Sequence, residues 1–213
     1  LFNRLGIPTP PYRAVDSLAD LEAAVAALGL PCVLKTRRLG YDGRGQRVLR
    51  KRSDVGPAWE ALGNLPLILE GFVKFDREVS IVGARSTRGE TRAYPVATNT
   101  HRDGILRVTV APTRDARLQR AAEGHLRRIL DHFGYAGVLT IEFFVAGGRL
   151  IANEMAPRVH NSGHWTIEGA VTSQFENHLR AILGLPLGDT RATGHAAMVN
   201  FIGTMPDRSR LLA

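Results

Sequence analysis

The amino-acid sequence predicts an α+β fold in two lobes that divide near residues 70–75. The first third of the chain alternates short apolar strands with helices, whereas the middle contains strands of alternating hydrophobicity. A long amphipathic helix and two further apolar strands follow. With 213 residues, of which 44% are hydrophobic, the chain can bury one large core or two smaller ones.

Residues 17–28 form the clearest helix of the first lobe. Ser17 and Asp20 make an N-terminal cap, leucines recur at helical spacing, and Gly29 ends the pattern. Strands are predicted at residues 32–36, 47–50 and 66–70, and a second helix at residues 53–62. A glycine-rich segment, residues 38–46, connects the first two strands, and we expect this lobe to span residues 1–71.

The second lobe is expected to span residues 72–205 and to be richer in strands. Its first strands are predicted at residues 78–84, 92–98 and 104–111, and a long helix with one apolar face at residues 115–133. Strands at residues 137–145 and 150–155 form a hairpin through Gly147 and Gly148. A polar loop at residues 157–166, a helix at residues 172–183 and a strand at residues 195–203 complete the lobe.

The composition narrows the class of ligand. The formal net charge is +8 and the isoelectric point is about 10.5, which suits nucleic acids, anionic membranes or phosphorylated small molecules. The arginines are scattered and aromatic residues make up only 7%, which disfavours a nucleic-acid module. No apolar run is long enough to span a bilayer, and the N-terminus does not resemble a signal peptide. Cys32 is the only cysteine, which fits a buried core residue in a cytoplasmic protein.

The glycine-rich segment predicts a phosphate-binding loop. Lys35 ends an apolar strand, and Gly40, Gly43 and Gly45 follow it closely. Glycines let backbone N–H groups converge on an anion, and a lysine adds a positive charge for phosphate. The alternative is an ordinary hairpin turn, because Asp42 followed by Gly43 is a strong turn signal.

Two glutamates interrupt the apolar hairpin of the second lobe. A two-residue turn would place Glu142 opposite Asn153, whereas a longer turn or a bulge would place it opposite Glu154. In both cases carboxylates and an amide gather on neighbouring strands, which is unfavourable without a cation. Such an oxygen-rich group is typical of a site for a hard divalent cation bound with phosphates. The alternative is a single glutamate that faces solvent.

The polar loop directly after Glu154 is the third candidate region. Arg158 and His160 can point the same way in an extended segment. Arginine suits anion recognition, and histidine can donate a hydrogen bond or move a proton. An ordinary surface loop is the alternative, and two histidines alone are a weak indication of zinc.

Several stretches resemble the 5-(carboxyamino)imidazole ribonucleotide synthetase family, the ATPase subunit of phosphoribosylaminoimidazole carboxylase in the ATP-grasp superfamily. The matching stretches are residues 34–46, 77–80, 101–107 and 153–164. They follow the family's order over nearly the whole chain, and the run from Ala156 to Thr166 is the most specific. The resemblance implies an ATP-grasp fold in which the nucleotide binds between the two lobes.

The resemblance also implies a reaction and its cofactors. The family uses ATP to phosphorylate bicarbonate, and the resulting carboxyphosphate carboxylates aminoimidazole ribonucleotide in purine synthesis. ATP and Mg²⁺ are the implied cofactors, with Mn²⁺ as a possible substitute for Mg²⁺. The implied partners are the two substrates and a second copy of the chain in a homodimer, with neither nucleic acid nor membrane.

Residue roles carry over from the family in the same way. Lys35 would contact the nucleotide phosphates, beneath a closing loop of Gly40, Tyr41, Asp42, Gly43, Arg44, Gly45 and Gln46. Adenine and ribose would lie against Glu70, Gly71, Phe72 and Val73, with Glu70 or Glu78 binding the ribose hydroxyls and His101 beside them. Glu142 and Glu154 would hold the metal, with Asn153 next to them. The ribonucleotide or bicarbonate would meet Tyr41, Asp42, Arg44 and the catalytic group Arg158, His160 and Asn161.

The sequence departs from the family's pattern at both ends. The family's N-terminal glycine-rich domain has no counterpart here, and residues 206–213 correspond to the start of a C-terminal domain. We therefore expect the isolated chain to have weak or absent synthetase activity. The competing hypotheses are another ATP-grasp ligase, such as a formate-dependent glycinamide ribonucleotide transformylase or a biotin-dependent carboxylase, and a basic, non-catalytic binding module.

Overall fold

Two antiparallel sheets organise the molecule. The computed structural model describes residues 1–38, 45–62 and 65–205, together with residues 207 and 209. The first sheet has the order β1-β4-β2-β3 and carries two helices, and we call this part the first unit. Its elements are β1 (Tyr12–Val15), α1 (Leu18–Leu28), β2 (Cys32–Thr36), β3 (Gln46–Leu49), α2 (Val55–Leu62) and β4 (Leu67–Gly71).

The second unit is built on a seven-stranded sheet of order β10-β9-β5-β7-β8-β11, with β6 paired to β5. Its strands are β5 (Arg77–Arg85), β6 (Thr91–Ala93), β7 (Ala97–Arg102), β8 (Ile105–Ala111), β9 (Gly137–Ala146), β10 (Arg149–Ala156) and β11 (Ala196–Val199). Its helices are α3 (Ala116–Phe133), α4 (Thr166–Gly169) and α5 (Gln174–Ile182). Within the described ranges, no helix combines the length and apolar character needed to cross a membrane.

Both long helices begin at side-chain caps, and the cap of α1 is the one that the sequence predicts. In α1, the Ser17 hydroxyl accepts a hydrogen bond from the backbone N–H of Asp20. In α3, the Asp115 carboxylate accepts from the backbone N–H groups of Arg117 and Leu118, and Gly134 ends the helix in the left-handed conformation. These caps satisfy N–H groups that have no partner within the helix.

The second sheet is covered unequally on its two faces. The apolar side of α3 packs on one face and forms a core with β5, β9 and β10. On the other face α5 packs against β9 and β5, where Val138 and Ala84 are buried together with Trp165. Side chains alternate between faces along a strand, so Glu142 shares the face of Val138. The functional groups therefore lie on the α5 face, beyond the part that α5 covers.

The N-terminal segment packs on the second unit although it precedes the first in sequence. Ile7 is fully buried in the core beneath α3, and the Ala152 amide donates to the Pro8 carbonyl with an N···O distance of 2.7 Å. The predicted lobe boundary at residues 71 and 72 falls at the end of β4 and stays a prediction. Because residues 1–8 pack on the second unit and lead into β1 of the first, they form a second link between the units at the N-terminus.

The prediction of one continuous strand at residues 92–98 is wrong. In the structure β6 ends at Ala93 and β7 begins at Ala97. Pro95 lies in the gap, where its missing N–H would interrupt a strand ladder. The neighbouring Tyr94 is fully buried, and its hydroxyl donates to the Thr172 carbonyl. The predicted loop at 157–166 also differs, because a 3-10 turn covers Asn161–Gly163 and α4 begins at Thr166.

Candidate active site

A β-bulge brings the two metal-binding candidates together. The hairpin between β9 and β10 has a two-residue turn, and its pairing register shifts after Ala152. Asn153 is the extra residue, and Glu154 consequently lies opposite Glu142. Without the bulge, the two-residue turn would place Asn153 opposite Glu142. The prediction that carboxylates and an amide gather here is confirmed, and the bulge decides which residue opposes which.

Lys35 connects the first unit to this hairpin. The Nζ atom of Lys35 lies 2.8 Å from a Glu70 carboxylate oxygen and donates to Asn153 Oδ1, also at 2.8 Å. Both Lys35 and Glu70 are largely buried, with 21% and 15% of their side chains exposed. The lysine at the end of β2 and the bulge in β10 therefore face each other across the boundary between the units. A phosphate in this space would meet a cation whose present partners are a carboxylate and an amide.

His101 links two of the acidic residues. Its Nδ1 atom lies 2.9 Å from Glu78 Oε2, and its Nε2 atom lies 3.9 Å from Glu142 Oε2. Burial alone would lower the pKa of His101, but the Glu78 hydrogen bond and the charges of Glu142, Glu78 and Glu154 raise it above its ordinary value. His101 therefore tends towards the protonated form and partly neutralises the carboxylates around it.

Glu142 is the most strongly perturbed carboxylate of the site. Burial, followed by the negative charge of Glu154, raises its pKa to about 7. A buried carboxylate beside another carboxylate is costly unless a cation compensates it. The raised pKa and the Glu154 partner together fit a site for a divalent cation with oxygen ligands.

The neutral ring of His160 faces the same carboxylate. Its Nε2 atom lies 3.5 Å from Glu142 Oε1. Its Nδ1 atom accepts a hydrogen bond from the Ser162 backbone N–H at 3.2 Å, so the proton of the neutral ring is on Nε2. Burial, followed by the charges of Arg158, His164 and His101, lowers the pKa of His160 to about 4. His160 is therefore a neutral donor that points into the site.

Ligand atoms of Glu142, Glu154 and His160 lie within 4.8 Å of one another. A metal bound to His160 would need the Nε2 lone pair, which the Ser162 hydrogen bond disfavours by placing the proton there. The two carboxylates fit Mg²⁺ better than the mixed set does, because Mg²⁺ prefers oxygen ligands.

The other predicted site residues surround this centre to different extents. Gly45 and Gln46 lie at the start of β3, and Gln46 pairs with Lys35. Gly71, Phe72 and Val73 follow at the end of β4, and Phe72 is 42% exposed. Arg158 is exposed, whereas the Asn161 side-chain oxygen is buried and makes no hydrogen bond within the described part of the chain. Gly40, Tyr41, Asp42, Gly43 and Arg44 lie outside the described residues.

One buried residue escaped the sequence reasoning. Gln174 is fully buried and makes two hydrogen bonds to the backbone of His160. In the sequence it is an ordinary polar residue in the first turn of a helix, so no local pattern distinguishes it. Its importance follows only from the tertiary contact with a loop 14 residues earlier.

Comparison with known proteins identifies the class. A family model described as an ATP-grasp domain matches residues 1–175. The chain therefore belongs to the ATP-grasp family, and the two-unit fold with Lys35 facing an acidic hairpin is consistent with that membership.

Within this family, the chain is similar to N5-carboxyaminoimidazole ribonucleotide synthases. The enzyme of that name from Pseudomonas aeruginosa is 58% identical over 213 residues, which is 100% of this chain and 59% of the relative. The structure of the Thermus thermophilus synthetase has 52% identity and a TM-score of 0.90, covering 99% of this chain and 57% of that one. The Aspergillus clavatus enzyme in complex with ADP and 5-aminoimidazole ribonucleotide has 30% identity and a TM-score of 0.87 over 99% and 57%. The chain thus spans less than two thirds of these relatives.

Proposed function

We propose that this chain is the ATP-binding part of an enzyme that carboxylates 5-aminoimidazole ribonucleotide with bicarbonate. The observation that carries the proposal is the meeting of Lys35 with the Glu142 and Glu154 hairpin, directly beside the loop that carries His160. A phosphate-binding cation and a metal-binding acidic pair supply the positioning and charge neutralisation on which phosphoryl transfer from ATP to bicarbonate depends, and His160 adds a hydrogen-bond donor. The names of the similar synthases support the choice of substrates.

The side chains divide the work of the reaction. Lys35 would contact the nucleotide phosphates from the side of the first unit, while Glu142 and Glu154 would hold Mg²⁺ from the second. The metal supplies charge neutralisation on the phosphates. Phosphoryl transfer depends mostly on positioning and charge, so no nucleophilic side chain is needed.

The acceptor side of the site is formed by the loop after β10. Arg158 is exposed and offers a guanidinium to bicarbonate or to the ribonucleotide phosphate. His160 contributes its Nε2 proton to the acceptor side of the site. Asn161 contributes a side-chain oxygen that has no hydrogen-bond partner among the described residues. Carboxyphosphate hydrolyses readily, so the glycine-rich segment, residues 38–46, would serve as the lid that excludes water.

Adenine and ribose are assigned to the end of β4. The backbone at Gly71, Phe72 and Val73 follows directly after Glu70, which already bonds Lys35. Glu78 forms a hydrogen bond with His101 on the neighbouring strand. Either glutamate could accept ribose hydroxyls, and His101 would hold Glu78 in place for that contact.

The direct test is phosphate release by the protein at its natural length. Release should require ATP, bicarbonate and aminoimidazole ribonucleotide together, and Glu154→Gln should abolish both turnover and metal-dependent ADP binding. Glu168→Gln is the matched control, because Glu168 is an exposed glutamate in α4. Stimulation by glycinamide ribonucleotide with formate would instead support another ATP-grasp ligase. Salt-sensitive nucleic-acid binding that ignores Mg-ATP would support the basic binding module.

The homodimer that the resemblance implies and the cytoplasmic location that a single cysteine fits remain part of this proposal. The exposed face of α5 offers one surface for a second copy, because several large apolar side chains are exposed there. They are Phe175, Leu179, Ile182 and Leu183.

A further inference from the structure

We infer that Gln174 is a positioning residue that fixes His160 in the active site. Its carboxamide binds the backbone of His160 at two points. The His160 N–H donates to Gln174 Oε1 at 3.0 Å, and Gln174 Nε2 donates to the His160 carbonyl at 2.6 Å. Because both bonds converge on one residue, they fix the orientation of its backbone as well as its position. This inference rests on the proposed function, since it assigns a role within the same site.

The two bonds are buried and therefore costly to lose. Gln174 is fully buried and His160 is 8% exposed. A buried amide without partners costs about 1–3 kcal/mol, so the loop is strongly held in this one arrangement. The arrangement directs Nε2 of His160 towards Glu142, at 3.5 Å.

A second chain of hydrogen bonds connects Gln174 to the part of the loop that follows His160. The Gln174 backbone N–H donates to Thr166 Oγ1 at 3.0 Å, and that hydroxyl donates to the Gly163 carbonyl at 2.6 Å. Thr166 is fully buried as well. A Cβ atom at Gly163 would lie 2.5 Å from Gln174 Oε1, so a glycine is needed for this close packing. Gln174 therefore holds the loop both at His160 and in the turn that follows it.

The helix that carries Gln174 is itself held against the sheet. Asn177, one turn later in α5, is fully buried and donates to the Tyr94 hydroxyl at 2.7 Å. It also accepts from the Gly188 backbone N–H at 2.8 Å. The Val138 N–H donates to His178 Nδ1 at 3.1 Å, which ties α5 to β9. Several separate contacts thus hold α5 on the sheet, so the position of Gln174 does not depend on Asn177 alone.

The experiment replaces Gln174 in the protein at its natural length. Gln174→Met keeps the volume and removes both hydrogen bonds to His160. We expect kcat to fall about 10- to 100-fold, as is typical when a group that orients an active-site residue is lost. ATP affinity should stay within about threefold, because Lys35 and Glu70 lie on the first unit.

The control is Asn177→Leu, which removes an equally buried amide from the same helix without touching the loop. It should lower the unfolding temperature but preserve the kcat of the folded protein. A loss of kcat equal to that of Gln174→Met would overturn the inference, as would an unchanged kcat in Gln174→Met. In a His160→Ala background, Gln174→Met should cause no further loss; an additive loss would also overturn it.

A spectroscopic measurement separates this inference from the proposed function. In metal-free protein, the ¹⁵N signals of the His160 ring should report a proton fixed on Nε2. Gln174→Met should shift these signals towards a mixture of tautomers, whereas Asn177→Leu should not. If the wild-type protein fails to use aminoimidazole ribonucleotide, the proposed function is wrong, but the ring signals still decide the role of Gln174. Identical signals in Gln174→Met and wild type would overturn that role.

Discussion

At the residue scale, the two histidines that face Glu142 differ in their tendency to be protonated. His101 gains proton affinity from the carboxylates around it, whereas burial and nearby positive charges leave His160 neutral. Both rings face Glu142. One histidine can therefore compensate negative charge while the other offers a hydrogen bond without adding charge.

Glu142 gives the first prediction, which concerns stability without metal. Its folded pKa of about 7 lies above its ordinary value of 4.5, so the folded state binds more protons than the unfolded state between these pH values. The free energy of unfolding therefore decreases as pH rises through this window. Glu142→Gln removes the titration and should be more stable than wild type above pH 7, by up to about 3 kcal/mol.

Urea unfolding of both proteins from pH 4 to pH 8 in a chelator measures this difference. The gap in unfolding free energy should widen between pH 4.5 and 7 and then stay constant. Added Mg²⁺ with ADP should reverse the order, because only wild type keeps the full acidic pair. Parallel stability curves across this range would show that Glu142 does not titrate as expected.

At the scale of secondary-structure elements, the sequence predicted most boundaries because local signals set them. The strand at residues 32–36, the cap of α1 and the span of α3 agree with the structure, since their patterns are set by nearby residues. The division of residues 92–98 was missed, because the buried hydroxyl of Tyr94 that stabilises the gap contacts a residue 78 positions away. The Gln174 contact was missed for the same reason.

The bulge at Asn153 gives the second prediction. Deleting Asn153 should restore regular pairing and leave Glu154 opposite Glu142, because the hairpin already has a two-residue turn. Only the hydrogen bond to Lys35 would be lost, as in Asn153→Ala. We therefore expect both variants to fold and to bind Mn²⁺ with ADP within about threefold of each other.

Deleting Ile151 is the contrasting variant. It also restores the register but places Asn153 opposite Phe143, on the face that packs against α3. A buried amide in that core would cost several kcal/mol, so this variant should unfold or aggregate. Circular dichroism and Mn²⁺ titration compare the three proteins. If deletion of Asn153 abolishes metal binding while Asn153→Ala preserves it, the bulge itself would be needed to aim Glu154.

At the scale of the whole molecule, described residues join the two units at the active site and again through the N-terminal segment. Lys35 bonds Asn153 at the active site, and residues 1–8 pack on the second unit before the chain enters β1. The sequence alone could not reveal the second connection, because a short apolar segment such as residues 1–8 could pack in the core of either unit. The sequence-based division into lobes therefore describes the sheets better than it describes the path of the N-terminus.

Ile7 tests this connection. Ile7→Ala leaves a cavity in the core beneath α3 and should cost about 2–5 kcal/mol. Hydrogen exchange should accelerate in β9 and β10, whereas β2 and β4 should keep their protection. Leu21→Ala, in the core of the first unit, is the control and should give the reverse pattern. Equal acceleration in both sheets after Ile7→Ala would mean that the two units unfold together.

The apolar face of α5 tests the proposed homodimer. Leu179 and Leu183 are 56% and 68% exposed on one side of the helix, while its opposite side carries the buried Gln174 and Asn177. Exposed apolar side chains grouped on one helix face are typical of an interface. Leu179→Lys with Leu183→Lys should therefore shift the natural-length protein from dimer to monomer, as measured by light scattering, without changing ATP affinity. Two other outcomes would contradict this. An unchanged dimer would place the interface elsewhere, and a monomeric wild type with a lowered unfolding temperature in the variant would mean that another part of the same protein covers the face.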